Sequence, residues 1–183
     1  MLRFSVLNFP FQCLFLAAAA LASCGSPQAE GPKKYNQRGI SFQYPGDWSA
    51  DDAEKVGETA VSVTCQKDGF DDSGLMTIAC FNDSLALEDV QQVYRNQLDS
   101  TSLYKLAGVK FSVNQAGHFG RHETLQSRFT MSMLGVPHTG SLDAFYYKNH
   151  TFMVLKQEAD EDTAKNKVGF ALITKTLNVK PAK

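Results

Sequence analysis

The stretch RHETLQSRFTMSMLGVPHTGSLDAFYYKNHTFMVLKQ, residues 121–157, decides the fold of this chain. Apolar and polar residues alternate along 121–134, and a period of two is typical of a β-strand with one buried face. Two turns and two further apolar segments follow, in the order 135–140, 141–147, 148–151 and 152–157. Because such short turns join antiparallel neighbours, the stretch predicts three adjacent strands of an antiparallel sheet.

The rest of the chain adds shorter strands and two helices. The predicted strands lie at 40–44, 59–66, 75–81 and 109–114. A helix is predicted at 84–99, and a second one begins at the acidic residues 160–162, which suit a helix N-terminus. The last helix is apolar on two sides and is expected to pack on both, the alternative being a ridge that faces a partner. This order of elements predicts an α+β domain, a central antiparallel sheet flanked by helices.

The first 23 residues have the parts of an export signal. Arg3 precedes an apolar run at 13–22, which is shorter than the roughly 20 residues of a membrane-spanning helix. The run ends in Leu21-Ala22-Ser23-Cys24, which resembles the lipobox of bacterial lipoproteins. The resemblance implies that 1–23 is removed and that lipid on Cys24 anchors the protein in a membrane. The alternative is an ordinary signal peptide followed by a coincidental cysteine.

The remaining chain is long enough for one domain. Residues 24–38 are rich in glycine, proline and polar side chains and predict a flexible tether, which leaves 39–183 as a single domain. The net charge is −1 with both signs interspersed, which argues against a nucleic-acid partner. Gly25 and Ser26 follow the lipobox without an aspartate. By analogy, this indicates the outer membrane, periplasmic side, if the cell is Gram-negative.

Two of the four cysteines remain available after processing, Cys65 and Cys80. An oxidising compartment favours their pairing. A turn centred on 71–74 would place Cys65 directly opposite Cys80, within the reach of a disulfide. The prediction is a Cys65–Cys80 disulfide, and the alternative is a pair of buried free thiols.

The segment Gly39-Ile-Ser-Phe-Gln-Tyr-Pro-Gly-Asp-Trp48 resembles the opening strand of PsbP/Mog1-like domains. Their closing half is similar to Tyr147-Lys-Asn-His-Thr-Phe-Met-Val-Leu155 followed by a C-terminal helix. The resemblance covers about 39–179 and implies an α/β/α sandwich. The family contains assembly factors, binding modules and small lipoproteins, and it implies no shared active site. The Cys65/Cys80 pair is not part of its general pattern.

No catalytic or cofactor motif occurs in the sequence. Four histidines could hold a metal, but His118 and His122 flank one glycine-bracketed turn, and His138 and His150 lie in different turns. Zinc requires three or four ligands, so we interpret them as surface residues. Four methionines fall on apolar strand faces, where methionine is ordinary packing: Met76, Met131, Met133 and Met153. We therefore expect no catalytic, cofactor-binding or metal-binding residue.

These observations lead to a main hypothesis and an alternative. The main hypothesis is a non-enzymatic envelope lipoprotein, anchored through Cys24, that binds an unknown envelope protein or acts in assembly. The alternative is a small-molecule binder that uses a cleft between sheet and helix, lined by Tyr146, Tyr147 and Phe170. An enzyme ranks third, because only clustered polar side chains with perturbed ionisation would support one.

Overall fold

The computed structural model describes residues 31–51, 54–56, 60–69 and 72–179. The lipobox with Cys24 lies outside these residues, so lipidation stays a prediction. The described strands are, in chain order, Lys33–Gln37 (β1), Ile40–Tyr44 (β2), Trp48–Ala50 (β3), Glu54–Val56 (β4), Ala60–Lys67 (β5), Leu75–Phe81 (β6), Lys110–Phe111 (β7), Gln115–Phe119 (β8), His122–Met133 (β9), Val136–Tyr147 (β10), His150–Ala159 (β11) and Asn178–Val179 (β12).

The helices lie between these strands. They are Leu87–Ser100 (α1), Ser102–Leu106 (α2) and Thr163–Thr176 (α3), and a 3-10 turn at Asp160–Asp162 leads into α3. Within the described ranges, none of the helices is long and apolar enough to cross a membrane.

The described strands form two antiparallel sheets. The larger one has nine strands in the order β3-β5-β6-β11-β10-β9-β7, with β4 also paired to β5 and β8 also paired to β9. The smaller one has the order β1-β2-β12. The 121–157 stretch supplies β9, β10 and β11, which lie side by side in the large sheet as predicted.

The large sheet buries a separate apolar core on each face. On one face, Phe145 and Phe152 pack with Phe170 and Ile173 of α3 and with the small sheet. On the other face, Leu142 and Met153 join the apolar residues of α1. Side chains of a strand alternate between faces, so neighbours such as Leu142 and Asp143 belong to different faces. The predicted α+β architecture, a sheet between helices, is confirmed.

The predicted register of the β5–β6 hairpin is wrong. Cys65 lies opposite Met76, whereas Cys80 lies opposite Val61. The two cysteines are therefore offset by four positions, about 13 Å along the strands, and a disulfide spans at most about 7 Å between Cα atoms. Both are buried free cysteines. The prediction of a Cys65–Cys80 disulfide is corrected to the alternative, two free thiols.

The reason for the offset is the length of the hairpin loop. The backbone N–H of Lys67 donates to the carbonyl of Gly74 at 2.9 Å, so the loop is wider than a tight turn at 71–74. The faces were predicted correctly, because Val63, Cys65 and Met76 all belong to the core beneath α3.

Other differences come from contacts that are distant in sequence. Residues 33–37 of the predicted tether form β1, which pairs with β2. The turn after β9 is confined to Leu134 and Gly135, both with positive φ, and Gly140 lies inside β10. The prediction that α3 packs on both of its apolar sides is wrong, because Val168 on one of these sides is 73% exposed.

Candidate functional site

A large groove lies between α3 and the sheet surface formed by β9, β10 and β11, and we call it the α3 groove. Its first part has a volume of about 900 Å³, and its lining includes Gln126, Asp143, Lys156 and Phe170. Its second part has a volume of about 550 Å³ and continues toward Arg128 and Glu158. The two parts share Gln126, Ser141 and Lys156, so they form one continuous site.

The groove exists because α3 covers only part of its face of the sheet. The aromatic side chains of α3 and of the central strands pack against each other. Farther out, the same face carries polar residues at alternate positions of three neighbouring strands: Thr124, Gln126 and Arg128 on β9, Ser141 and Asp143 on β10, and Lys156 and Glu158 on β11. The floor of the groove is therefore a sheet surface made of hydrogen-bonding side chains.

Asp143 is the centre of the floor. It is 4% exposed and accepts hydrogen bonds from Thr124 Oγ1 at 3.0 Å, Gln126 Nε2 at 2.7 Å and Ser141 Oγ at 2.8 Å. Its hydrogen-bond donors in the described chain are all neutral. A buried carboxylate with three such donors is well satisfied. Asp143 therefore orients the polar side chains around it.

Lys156 and Glu158 form an ion pair at the junction of the two parts. Lys156 Nζ lies 3.0 Å from Glu158 Oε1 and 4.6 Å from the ring centroid of Phe170. The Glu158 side chain is 4% exposed, and its second oxygen, Oε2, has no hydrogen-bond partner among the described residues. A buried acceptor without a donor costs free energy, so a hydrogen-bond donor that reached this oxygen would be stabilising.

The end of the groove near the start of β9 is cationic and aromatic. Arg121 Nη2 donates to Tyr147 Oη at 3.3 Å, and the guanidinium lies 5.8 Å from the Tyr147 ring centroid. The His122 ring packs 5.0 Å from Phe145 and 4.7 Å from Tyr147. Burial lowers the pKa of His122 below 6.5, and the positive charge of Arg121 lowers it further. Both effects favour the neutral form of His122.

The predicted cleft residues lie on two faces of the sheet. Phe170 lines the α3 groove, and Tyr147 packs against His122 at its edge. Tyr146 instead points to the opposite face, where its hydroxyl donates to the carbonyl of Leu85 at 3.0 Å. Adjacent strand residues alternate between faces, so Tyr146 and Tyr147 could not both line one cleft.

His118 and His122 both line the first part of the α3 groove. They lie on the paired strands β8 and β9, where His118 is opposite Glu123 and Phe119 is opposite His122. Because neighbouring residues of a strand alternate between faces, the two imidazoles point to opposite faces of the sheet. No group of three histidine, cysteine or acidic side chains that could hold a metal occurs among the described residues.

The sequence reasoning missed the floor of the groove, although a signal for it exists. Asp143 interrupts the apolar segment 142–147 of β10, and Lys156 and Glu158 occupy inward positions of β11. Polar residues with period two on strands that also alternate apolar residues indicate a sheet with a hydrated or ligand-facing patch. Only the pairing of β9, β10 and β11 shows that these positions meet.

Solved structures with the same architecture support the assignment of the fold. CyanoP, the cyanobacterial PsbP of Synechocystis sp. PCC 6803, is 12% identical, and the match has a TM-score of 0.54 and covers 87% of this chain and 99% of CyanoP. This chain has a PsbP-like fold. A protein from Bacteroides thetaiotaomicron VPI-5482 shares the fold with a TM-score of 0.51 at 18% identity. That match covers 82% of this chain, which spans about half (49%) of the longer Bacteroides protein.

LpqN of Mycobacterium tuberculosis, which is involved in cell envelope biogenesis, is less similar. Its TM-score is 0.47 at 15% identity, over 82% of this chain and 90% of LpqN. No protein-family model and no curated protein matches the chain by sequence. The PsbP-like fold is therefore what the comparisons establish.

Proposed function

We propose that this protein is a non-enzymatic binding module of the cell envelope, and that the α3 groove holds a small polar ligand. The observation that carries the proposal is the groove itself. Its first part, about 900 Å³, lies at the upper end of the usual range for ligand pockets, and it combines apolar side chains with convergent polar groups.

The arrangement of the polar groups supports binding over catalysis. Asp143 is surrounded by neutral donors, and Lys156 is paired with Glu158. A catalytic hydroxyl is activated by a base that is free to take its proton, whereas Asp143 accepts from Ser141 together with two further donors. These groups favour recognition of a ligand.

A protein partner, the main hypothesis from the sequence, has weaker support in the fold. Exposed apolar side chains such as Val168 and Leu134 are normal on protein surfaces. A groove whose floor carries ordered polar side chains is stronger evidence for a binding site than scattered exposed apolar residues are. The small-molecule alternative therefore becomes the leading proposal.

The test uses a tryptophan to fill the groove. Ala171 is exposed on α3 and lines the first part, so Ala171→Trp places a large side chain in the ligand space. Val168→Trp is the control, because Val168 is exposed on the same helix and does not line the groove. Both variants are expected to keep the melting temperature of the wild type, since both positions face outward.

The readout is equilibrium dialysis of the full chain against a small-molecule extract of the envelope, followed by mass spectrometry. The wild type and Val168→Trp should enrich the same compound, and Ala171→Trp should not. If no compound is enriched, or if Ala171→Trp enriches it equally, the groove is not the binding site.

The envelope location rests on the lipobox. Metabolic labelling with an alkynyl fatty acid should mark the wild type and Cys13→Ser, and Cys24→Ser should remain unlabelled. Cys13 is a matched control because it lies in the segment that the signal peptidase is expected to remove. Labelling of Cys24→Ser would contradict the anchor.

A further inference from the structure

The charges that a ligand meets in the α3 groove are positive. The lining contains two carboxylates, Asp143 and Glu158, and both are 4% exposed. It also contains four cationic side chains, of which three are exposed and one is half-buried: Arg121, Arg128, Lys175 and Lys156. The whole chain has a net charge of −1, so this concentration of cations is local to the groove. A site of this kind attracts an anion.

The groove is also long. Its floor follows β9 from His122 to Arg128, six positions that span about 20 Å at roughly 3.4 Å per residue. Polar side chains face the ligand along this whole length, including Gln126, Ser141 and Thr139. A matching ligand therefore carries hydrogen-bonding groups along its length and is extended.

The far part of the groove contains an acceptor without a partner among the described residues. Glu158 Oε2 is buried without a hydrogen-bond partner in the described chain, while Oε1 is held by Lys156. A hydrogen bond from a ligand hydroxyl or N–H group to such an acceptor contributes more free energy of binding than one to an acceptor that already has a partner. Arg121 and Lys175 line the first part of the groove, and Glu158 lines the second part together with Arg128.

We propose that the ligand of the α3 groove is an acidic oligosaccharide, whose carboxylate binds near Arg121 and Lys175 and whose hydroxyl groups bind along the floor to Glu158. This inference rests on the proposed function of the groove. A sugar unit carries several hydroxyl groups, each of which both donates and accepts, whereas a peptide unit carries one N–H donor and one carbonyl acceptor. The positive charge selects the acidic saccharide over a neutral one.

The probe is tetragalacturonate, titrated calorimetrically into the full chain in detergent. A neutral tetrasaccharide, tetraglutamate and inorganic phosphate serve as the comparison ligands. We expect tetragalacturonate to bind about tenfold more tightly than each of them. Lys175→Gln should weaken its binding by about fivefold and reduce its salt dependence, because an exposed charge contact contributes up to about 1 kcal/mol.

The control for this variant is Lys167→Gln, since Lys167 is an exposed cation of α3 that does not line the groove. It should leave the affinity unchanged. Equal binding of tetraglutamate or phosphate would overturn the saccharide class, and equal binding of the neutral sugar would overturn the role of charge.

Failure of this inference differs from failure of the proposed function. If tetragalacturonate does not bind but the dialysis experiment still yields a compound that Ala171→Trp excludes, the ligand class is wrong and the groove remains the site. If neither experiment shows binding, both proposals fall.

Discussion

Ser73 Oγ donates a hydrogen bond of 2.8 Å to Asp162 Oδ2, although the two residues lie 89 positions apart. The backbone N–H of Ser73 donates to the same oxygen at 3.0 Å, and Ser73 Oγ accepts from the N–H of Ala159 at 2.7 Å. Asn166 Nδ2 donates to the carbonyl of Ser73. The loop between β5 and β6 is therefore attached to the start of α3, and this attachment accompanies the wide hairpin that separates Cys65 from Cys80.

Replacement of Asp162 tests this attachment through the pH dependence of the free energy of unfolding. Hydrogen bonds from Lys165 and Ser73 lower the pKa of Asp162 from 3.8 to about 2. A carboxyl group whose pKa is lower in the folded than in the unfolded protein stabilises the fold when the pH is above both pKa values. This stabilisation is lost as the pH falls through the pKa of the folded state. Asp162→Asn should therefore lower the free energy of unfolding by about 1–3 kcal/mol at pH 7, and the difference should shrink between pH 4 and pH 2.

Urea denaturation of both proteins across this pH range measures the effect. Asp160→Asn is the matched control, because Asp160 is exposed in the same 3-10 turn. A difference between wild type and Asp162→Asn that stays constant down to pH 2 would show that the carboxylate charge does not stabilise the loop.

The two thiols of the core should be unreactive in the folded protein. Burial raises the pKa of Cys65 to about 12, with Asp68 and Asp51 adding to the effect, and burial raises the pKa of Cys80 to about 11. The thiolate is the reactive form, so iodoacetamide at pH 8 should modify neither cysteine until the chain is denatured. Peptide mapping without reductant should then find both alkylated, whereas a Cys65–Cys80 cross-linked peptide would contradict the register.

The ionisation of His122 should depend on its neighbour in the groove. Burial is the larger cause of its lowered pKa, and Arg121 is the second. In Arg121→Gln the pKa of His122 should rise and still remain below 6.5, because the burial persists. NMR titration of the imidazole measures the change. Arg128→Gln, at the other end of the groove, should leave this pKa unaltered, and an equal response to both variants would argue against a local effect of Arg121.

Gly140 should tolerate no side chain. A Cβ at this position would approach both the ring of Phe129 and the backbone carbonyl of Lys156 closer than 3.0 Å, and neither is the end of a flexible side chain. Gly140→Ala is expected to lower the free energy of unfolding by about 1–3 kcal/mol or more, as overpacking does. Gly31→Ala is the control, since a Cβ there meets nothing within 4 Å. Equal stability of the two variants would mean that Phe129 and the backbone of Lys156 shift to make room for the added methyl group.

Alternating residues in the sequence predicted the elements and their buried faces. Period-two patterns placed β9, β10 and β11 next to each other, and the helix predicted at 84–99 is observed as α1. Met76, Met131 and Met153, which were expected on apolar strand faces, are buried. Local patterns succeed here because the burial of a strand or helix face is decided within the segment itself.

Register and the binding site were decided by tertiary structure. The offset of Cys65 from Cys80 accompanies contacts from Ser73 to α3, which no pattern within the hairpin encodes. The α3 groove likewise requires Asp143, Lys156 and Gln126 to meet from three strands. Periodicity within single segments predicted the fold class, and the lipobox predicted a compartment that stays a prediction, because both depend on local chemistry. Which polar side chains face one another depends on how α3 packs across the sheet, and only the folded chain determines that.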